Sequence, residues 1–478
     1  MPIYNVAPYL EIALNSVANQ THKNLEILMV DDVSDDGSEV IMAAYAEKDP
    51  RFRHIRLTMN GGSGAARNLA IAQARGSYLG FLDGDDVFTP HAIARLLTSL
   101  EATGADLAVG HVMRNRGGEL VSSRLHREYF ATKRLRTSIV ELPELVYDTT
   151  VWNKLFRTSF WRDNTLAFPE GVLYQDMVVM ADAYALNPTV DVIGELTNIW
   201  RVREDKTSVT QSRADLSNLN DRLAAIDHAR KQFRPLGDAV WSRYQRKILS
   251  LDFPLFIRRA VLDNTTYLTR LSNALASAAS EVPATTLALI STRSRLVCFL
   301  AMHQRFDLVA QADELTTSSR WPTLLSDESN VLLDTSSLTL ADPIPDAYVR
   351  LLRDLKVEVV HARATTSLVG ARIDVLGGMN HRPPGSAQEA TFTLRAENGD
   401  RIRFNSSSNG SLDDLKTQAT SWADVFGGSL SRRKLSGFVR SHPAQQFELR
   451  LTVRIGQETR RITMHPDYLS SILSRINR

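Results

Sequence analysis

Cysteine is almost absent from this chain: among 478 residues there is only Cys298, which excludes an intrachain disulfide framework and suits a reducing compartment. That thiol lies in the apolar stretch 296–302 and reads as a buried core group rather than a nucleophile. An excess of charge is missing as well. Lys and Arg number 56 against 54 Asp and Glu, a net charge of +2, so neither nucleic acid nor an anionic membrane is expected as the main partner. Nowhere do about 18 uncharged apolar residues follow one another, as a membrane-spanning helix requires. The nearest approach, 287–302, is interrupted by Arg293 and Arg295. The chain opens on Met1-Pro2-Ile3-Tyr4-Asn5 without a basic and apolar leader, so the expected location is the cytoplasm. The histidines show no metal-ligand spacing, no Ser-His-Asp or Cys-His arrangement is visible, and there are no internal repeats.

What is present is a globular composition, 43% hydrophobic and 23% charged, in a chain long enough for two or three domains. Up to about residue 110 helical and strand patterns alternate. Leu10, Ala13, Leu14 and Val17 fall at helical spacing within 8–19, and the apolar run 26–30 ends in Asp31-Asp32. After a second helix and a strand at 54–57, the turn Asn60-Gly61-Gly62-Ser63-Gly64 leads into a helix over 65–74, closed by Gly76 before an apolar strand at 78–82. Thr89-Pro90 predicts an N-cap with proline at the first helical position, opening a helix with Ile93, Leu96, Leu97 and Leu100 on one face. Such alternation implies a mostly parallel, Rossmann-like sheet covered by helices. Ligands of these sheets sit at the carboxyl ends of the strands, where Asp31-Asp32 and Asp83-Gly84-Asp85-Asp86 fall.

Between about 214 and 325 the pattern is helical, with long stretches at 216–233 and 239–262. The period then changes to two: Phe447, Leu449, Leu451, Val453 and Ile455 alternate with Glu448, Arg450, Thr452 and Arg454. Asn398-Gly399 reads as a hairpin turn. About seven short strands between 357 and 464 suffice for an antiparallel β-sandwich. The domains expected are therefore an α/β domain at 1–212, a helical segment at 213–333 and a β-sandwich at 346–478, with 334–345 as the linker.

Three carboxylates in the four residues Asp83-Gly84-Asp85-Asp86 repel one another unless a cation or hydrogen-bond donors offset them. Mg²⁺ or Mn²⁺ suits that need, since hard ions take carboxylate and phosphate oxygens together. A solvated acidic turn that caps the helix after Thr89 accounts for the same residues. Context separates the two readings. Pro2-Ile3-Tyr4-Asn5, Val30-Asp31-Asp32-Val33-Ser34-Asp35-Asp36-Gly37-Ser38, Gly64-Ala65-Ala66-Arg67-Asn68 and Phe81-Leu82-Asp83-Gly84-Asp85-Asp86 come in the order and spacing of the family 2 glycosyltransferases with the GT-A fold, which the chain resembles. Val151-Trp152-Asn153-Lys154-Leu155-Phe156, Phe168-Pro169-Glu170-Gly171 and Tyr174-Gln175-Asp176 are similar to the acceptor-side half of that family. The likeness is greatest to bacterial members that decorate wall teichoic acids or build capsule and other surface polysaccharides.

The resemblance implies a role for each matching residue. Pro2 and Tyr4, with Asp31 or Asp32, would bind the uracil end of a UDP-sugar. Arg67 would sit near the phosphates or hold the acidic motif. Asp83 would approach ribose and metal, Asp85 would be the metal ligand, and Asp86 would either join them or cap the next helix. Asp176 would be the general base that takes the acceptor hydroxyl's proton in an inverting transfer. The family's usual Glu-Asp pair is Gln175-Asp176 here, so support from a second carboxylate is missing. Arg201 and Arg203 lie in a segment, 200–210, similar to the family's mobile loop. Trp152 reads as core, and Lys154 as facing donor or acceptor.

The expected function is thus transfer of a hexose or N-acetylhexosamine from a UDP-sugar to a hydroxyl of a surface polymer, with Mn²⁺ or Mg²⁺. The alternatives are a capsule or exopolysaccharide chain-extending transferase using another nucleotide sugar, and a non-catalytic carbohydrate-binding protein. The resemblance also leaves open association with the inner face of the membrane and homo-oligomerisation through the C-terminal region. One departure is structural: the family's apolar strand before the Pro-x-Tyr-Asn motif has no counterpart ahead of Met1-Pro2. An upstream start is expected on that ground, because neighbouring strands would lose backbone partners.

Overall fold

The computed structural model describes residues 1–122, 129–203 and 213–316, and beyond these a few residues up to 349 and the backbone of strands between 323 and 463. By packing, the chain divides into two compact units, Met1–Val282 and Pro283–Arg478.

The first unit begins with β1 (Pro2–Ile3), α1 (Ala7–Ala18), β2 (Ile27–Asp31), α2 (Ser38–Lys48), β3 (Phe52–Arg56) and α3 (Gly62–Gln73). Crossover helices make β1, β2 and β3 a parallel three-stranded sheet in that order. Helix α1 buries Leu10, Ala13, Leu14 and Val17, the face its spacing requires. Next come β4 (Tyr78–Gly80), β5 (Val87–Phe88), α4 (Ala92–Thr103), β6 (Leu107–Arg116), β7 (Glu119–Ser122), β8 (Arg134–Thr137), β9 (Lys154–Arg157), α5 (Thr158–Asp163), α6 (Gln175–Ala185) and β10 (Val190–Arg201). Their sheet runs β4-β9-β6-β10-β5, with β7 beside β6 and β8 beside β10. Only β6 and β10 pair in parallel. The expectation of a mostly parallel sheet thus applies to β1–β3. Past α4 most strands arrive through loops instead of helical crossovers, and these pair antiparallel.

The strand expected to be missing is represented by β1 alone. Met1 O accepts from Val30 N at 2.9 Å, Ile3 O accepts from Asp32 N at 2.8 Å, and the Met1 amino group donates to Leu28 O at 2.8 Å. The edge of β2 is therefore partnered. No ladder joins β1 to β4, which pairs with β9. Side chains fill that seam, where Ile3, Val6, Leu10 and Leu14 pack with Leu82, Phe88 and Ile93. Thr89 does not cap α4: the helix starts at Ala92, and the Thr89 hydroxyl donates to Leu196 O at 2.8 Å, tying the turn to β10.

Helix α7 (Leu216–Phe233) lies where the periodicity puts it. The expected helix over 239–262 is broken into α8 (Asp238–Lys247), a π-turn (Ile248–Asp252) and α9 (Phe253–Ile257), before α10 (Thr265–Ala279). Pro254 lacks an amide hydrogen and cannot continue a regular ladder. The second unit opens with α11 (Ala284–Leu287), α12 (Thr292–Met302) and α13 (Val309–Leu315); Cys298 on α12 is buried. A hairpin, β11 (Thr323–Asp327) with β12 (Asn330–Leu333), follows. One antiparallel sheet then contains β13 (Val357–Ser367), β14 (Gly370–Met379) and β17 (Asp424–Ser431). The other has the order β16-β15-β18-β19, from β15 (Gln388–Ala396), β16 (Arg401–Asn405), β18 (Phe447–Ile455) and β19 (Glu458–Thr463). The Asn398-Gly399 turn and, within the expected linker, residues 334, 336, 339, 341 and 342 lie outside the described residues. No helix among the described residues is long and apolar enough to cross a membrane.

Candidate active site

The first two motifs interlock at the carboxyl ends of β1 and β2. Asn5 N donates to Ser34 Oγ at 3.2 Å, Asp35 N to Asn5 Oδ1 at 3.0 Å, and Ala7 N to Asp36 Oδ2 at 2.8 Å, which caps the start of α1. Pro2 is buried in β1, whereas the next residue but one, Tyr4, is 51% exposed at the strand's end. Asp31 is wholly buried; its Oδ1 accepts from Ser34 N at 3.0 Å and its Oδ2 lies 3.5 Å from Arg56 Nη1. Asp32 turns the other way and takes Gly61 N at 2.7 Å and Gly62 N at 2.8 Å. Burial pushes its carboxyl up, and the two amides pull it back. Asp32 thus fixes the glycine turn ahead of α3 with the same oxygens that the sequence reading reserved for uracil.

Helix α3 carries the link between the two halves of the site. Arg67, 3% exposed, donates from Nη2 to Asp83 Oδ1 at 2.6 Å and from Nη1 to Asp176 Oδ1 at 2.9 Å, and its guanidinium lies 5.1 Å from the Phe168 ring centroid. A planar fork suits two carboxylates on different elements. Asn68 pairs with the 168–170 segment: its amide donates to Phe168 O and Glu170 Oε1, each at 2.8 Å, and accepts from Phe168 N at 2.9 Å. Gly64 is needed for a close approach, since a Cβ there would stand 2.4 Å from Pro169 O. Gln175 donates to Ser63 Oγ. The Gly-Ala-Ala-Arg-Asn motif is therefore a clamp on the acceptor-side segment.

The acidic cluster lies between β4 and β5. Asp85 Oδ2 accepts from Arg203 Nε at 2.6 Å, Asp85 O from Arg201 Nε at 3.1 Å, and buried Asp86 from Arg201 N at 2.9 Å. Asp86 fastens the end of β10 and caps no helix. Burial raises the Asp85 carboxyl, with Arg203 acting against it and Asp83 adding to it; burial raises Asp86 much further. Both arginines stack on Tyr9, at 5.4 Å and 5.8 Å from its centroid. Residues 204–210 of the expected mobile loop lie outside the described residues. Among the described residues no group of three or more His, Cys, Asp or Glu could hold a metal. Two carboxylates, Asp83 and Asp85, nevertheless suit Mg²⁺ or Mn²⁺, which commonly bind through one or two carboxylates and the substrate's phosphates. Their hard oxygen chemistry fits, and Arg203 already shows that Asp85 takes a cation.

On the acceptor side, Asp176 lies in the first turn of α6 and accepts from Val151 N at 3.3 Å on the oxygen not bound to Arg67. Burial raises its carboxyl, the Arg67 charge lowers it, and Asp83 raises it again. Trp152 is core, as expected. Lys154 is fully buried: its Nζ pairs with Asp148 at 2.9 Å and donates to Asn153 Oδ1 at 2.9 Å and to Thr150 O, bracing the 148–153 turn that presents Val151 N. Asp148 was not singled out in the sequence. Neither was the contact of Tyr174 with α7, because partners 44 residues apart leave no local pattern.

Fold and site together define an α/β domain with carboxylates at its strand ends and a partly buried carboxylate, Asp176, tied to them through Arg67. Residues 1–163 match the family model of Glycosyl transferase family 2. Among curated proteins, the chain is 29% identical over 245 residues to the uncharacterized glycosyltransferase EpsJ of Bacillus subtilis, covering 49% of this chain and 66% of that one. It is 28% identical to the poly(ribitol-phosphate) beta-glucosyltransferase of Bacillus spizizenii, covering 43% and 32%. The chain spans 66%, 31% and 60% of the length of the first three curated relatives it matches. Among solved structures, S. aureus TarS has a TM-score of 0.52 at 18% identity, covering 96% of this chain and 76% of that one. TarS 1–349 in complex with UDP-GlcNAc has a TM-score of 0.56 at 20% identity, covering 72% and 96%. These likenesses place the fold with that of TarS.

Proposed function

We propose that the chain is an inverting glycosyltransferase that moves a hexose or N-acetylhexosamine from a UDP-sugar to a hydroxyl of a cell-surface polymer such as teichoic acid. The observation that carries this reading is the Arg67 bridge, which joins Asp83 of the acidic motif to Asp176 of the acceptor side at 2.6 Å and 2.9 Å. The relatives named above support the substrate class: one acts on poly(ribitol phosphate), and a chain of like fold binds UDP-GlcNAc.

Asp176 takes the proton of the acceptor hydroxyl as that oxygen attacks the anomeric carbon. The bond to the diphosphate breaks on the opposite face, and UDP leaves with the electron pair. A base buried enough to be raised from the ordinary carboxylate range accepts a proton more readily, while Arg67 keeps it ionised and aimed. Asp83 and Asp85 would hold Mg²⁺ or Mn²⁺, which offsets the charge of the leaving diphosphate. Arg201 and Arg203 would flank the diphosphate and exposed Tyr4 would border the uracil, while buried Asp31 and Asp32 hold the neighbouring turns. Residues 1–212 form the catalytic domain in this reading, 213–333 a mainly helical segment that ends in the β11–β12 hairpin rather than in a helix, and 346–478 a β-sandwich that binds polymer or joins subunits. The test is nucleotide release from a panel of nucleotide sugars with Mn²⁺ and a polymer acceptor. UDP release that Asp176→Asn lowers by roughly 10²- to 10⁴-fold is expected; carbohydrate binding without release from any donor would support the non-catalytic alternative.

A further inference from the structure

Beyond the residues that match the family, one buried group of charges has no part in the chemistry above. On the π-turn, Asp252 takes Lys247 Nζ on one oxygen at 2.8 Å and Arg222 Nη2 on the other at 2.5 Å. The Lys247 and Asp252 side chains are 4% and 3% exposed. Removing such charges from water is costly, and apolar residues of similar volume often serve stability as well. A π-turn is itself a feature that recurs at functional sites.

What the charges hold is visible on the far side of Arg222. Its guanidinium lies 4.7 Å from the centroid of the Tyr174 ring. Tyr174 is the residue before α6 and has a left-handed backbone at φ 59°, a conformation that a bulky side chain keeps only when its surroundings enforce it. Its hydroxyl donates to Asn218 Oδ1 at 2.7 Å, and Leu173 N donates to Asp221 Oδ2 at 2.9 Å. Asn218, Asp221 and Arg222 share one face of α7. Together they grip the two residues that precede Gln175 and Asp176.

We propose that Asn218, Asp221 and Arg222, the last anchored by Asp252 and Lys247, are positioning residues for Asp176. Their grip fixes where α6 begins and hence the direction in which the Asp176 carboxylate is presented. The proposal rests on the reading of Asp176 as the base. It extends the catalytic unit to α7 and the π-turn, although the family match ends at residue 163. The grip works through geometry: the charges acting most strongly on Asp176 are those of Arg67, Asp83 and Lys154.

Arg222→Gln tests it, because Asp252 keeps Lys247 as a partner. Transfer kcat should fall about 10- to 100-fold, the usual result of a misplacement near 1 Å, with donor KM, UDP affinity and the acid limb of the pH profile unchanged. In an Asp176→Asn background the same substitution should change residual turnover less than about twofold, since both act through one group. Tyr174→Phe, which removes only the hydroxyl, should show a smaller loss of the same kind and decides the matter if Arg222→Gln no longer binds UDP. A normal kcat, or an equal loss in the Asp176→Asn background, overturns the grip. An active Asp176→Asn overturns the base assignment and the proposal with it; an inactive Asp176→Asn beside a normal Arg222→Gln overturns the grip alone.

Discussion

Arg67→Gln removes the cation that bridges the two halves of the site while leaving a side chain that can still donate hydrogen bonds. At 2.9 Å from Asp176, the guanidinium offsets a carboxyl that burial already raises. The Arg67 charge lowers the Asp176 carboxyl, so its loss should raise it further. The base must be ionised to accept a proton. The acid limb of the rate profile therefore moves to higher pH, and each unit of that move costs about tenfold in rate at a fixed pH below the new pKa. Raising the pH should restore part of the lost rate. The assay is single-turnover UDP release measured across pH for wild type, Arg67→Gln and Arg67→Lys. The lysine retains charge but cannot fork two carboxylates, so it should fall between the other two in position of the limb. Loss of rate with an unmoved acid limb would show that Arg67 acts on the donor alone.

Chelating the divalent ion should abolish transfer, and Asp85→Asn should weaken Mn²⁺ and UDP binding together in calorimetry, whereas Asp176→Asn should leave both nearly unchanged. Lys154→Met leaves Asp148 buried without its cation, both side chains being 0% exposed. It should cost about 3–5 kcal/mol in urea unfolding, and adding Asp148→Leu should recover most of that. Gly64→Ala drives a methyl group against Pro169 O; a loss of about 1–3 kcal/mol with reduced transfer and retained UDP affinity is expected, and an unchanged melting temperature would argue that the 168–170 segment shifts freely.

The parts of the site legible in the sequence are those whose chemistry is local. Asp83 and Asp85 follow an apolar run, and Arg67 lies in a short motif. The apolar faces of α1 and α7 obey one period throughout. What escaped notice depends on partners far apart in the chain. Lys154 and Asp148 form an ion pair whose residue types, taken singly, suggest surface or ligand-facing groups. Thr89-Pro90 has the composition of a helix cap, yet a bond to Leu196 takes the hydroxyl elsewhere. The helical period over 239–262 is real, but it does not register that Asp252 must reach both Lys247 and Arg222, nor that a π-turn supplies the extra residue. The change of strand direction past α4 is likewise a matter of which connections hold a helix.

Because no hydrogen-bonded ladder joins β1 to β4, the strands of the nucleotide-side sheet and of the acceptor-side sheet meet through packed side chains. Contacts of that kind slide and separate more readily than a continuous ladder, and structural elements joined only by packing tend to open as separate cooperative units. Amide protons of β2 and β3 would then exchange together, at a rate distinct from that of β6 and β10. Arg67, standing on α3 and holding Asp83 and Asp176, is a charged tie across this boundary beside the Asn68 bonds to Phe168 and Glu170, so the slowest-exchanging protons of the two sheets should draw apart when it is removed.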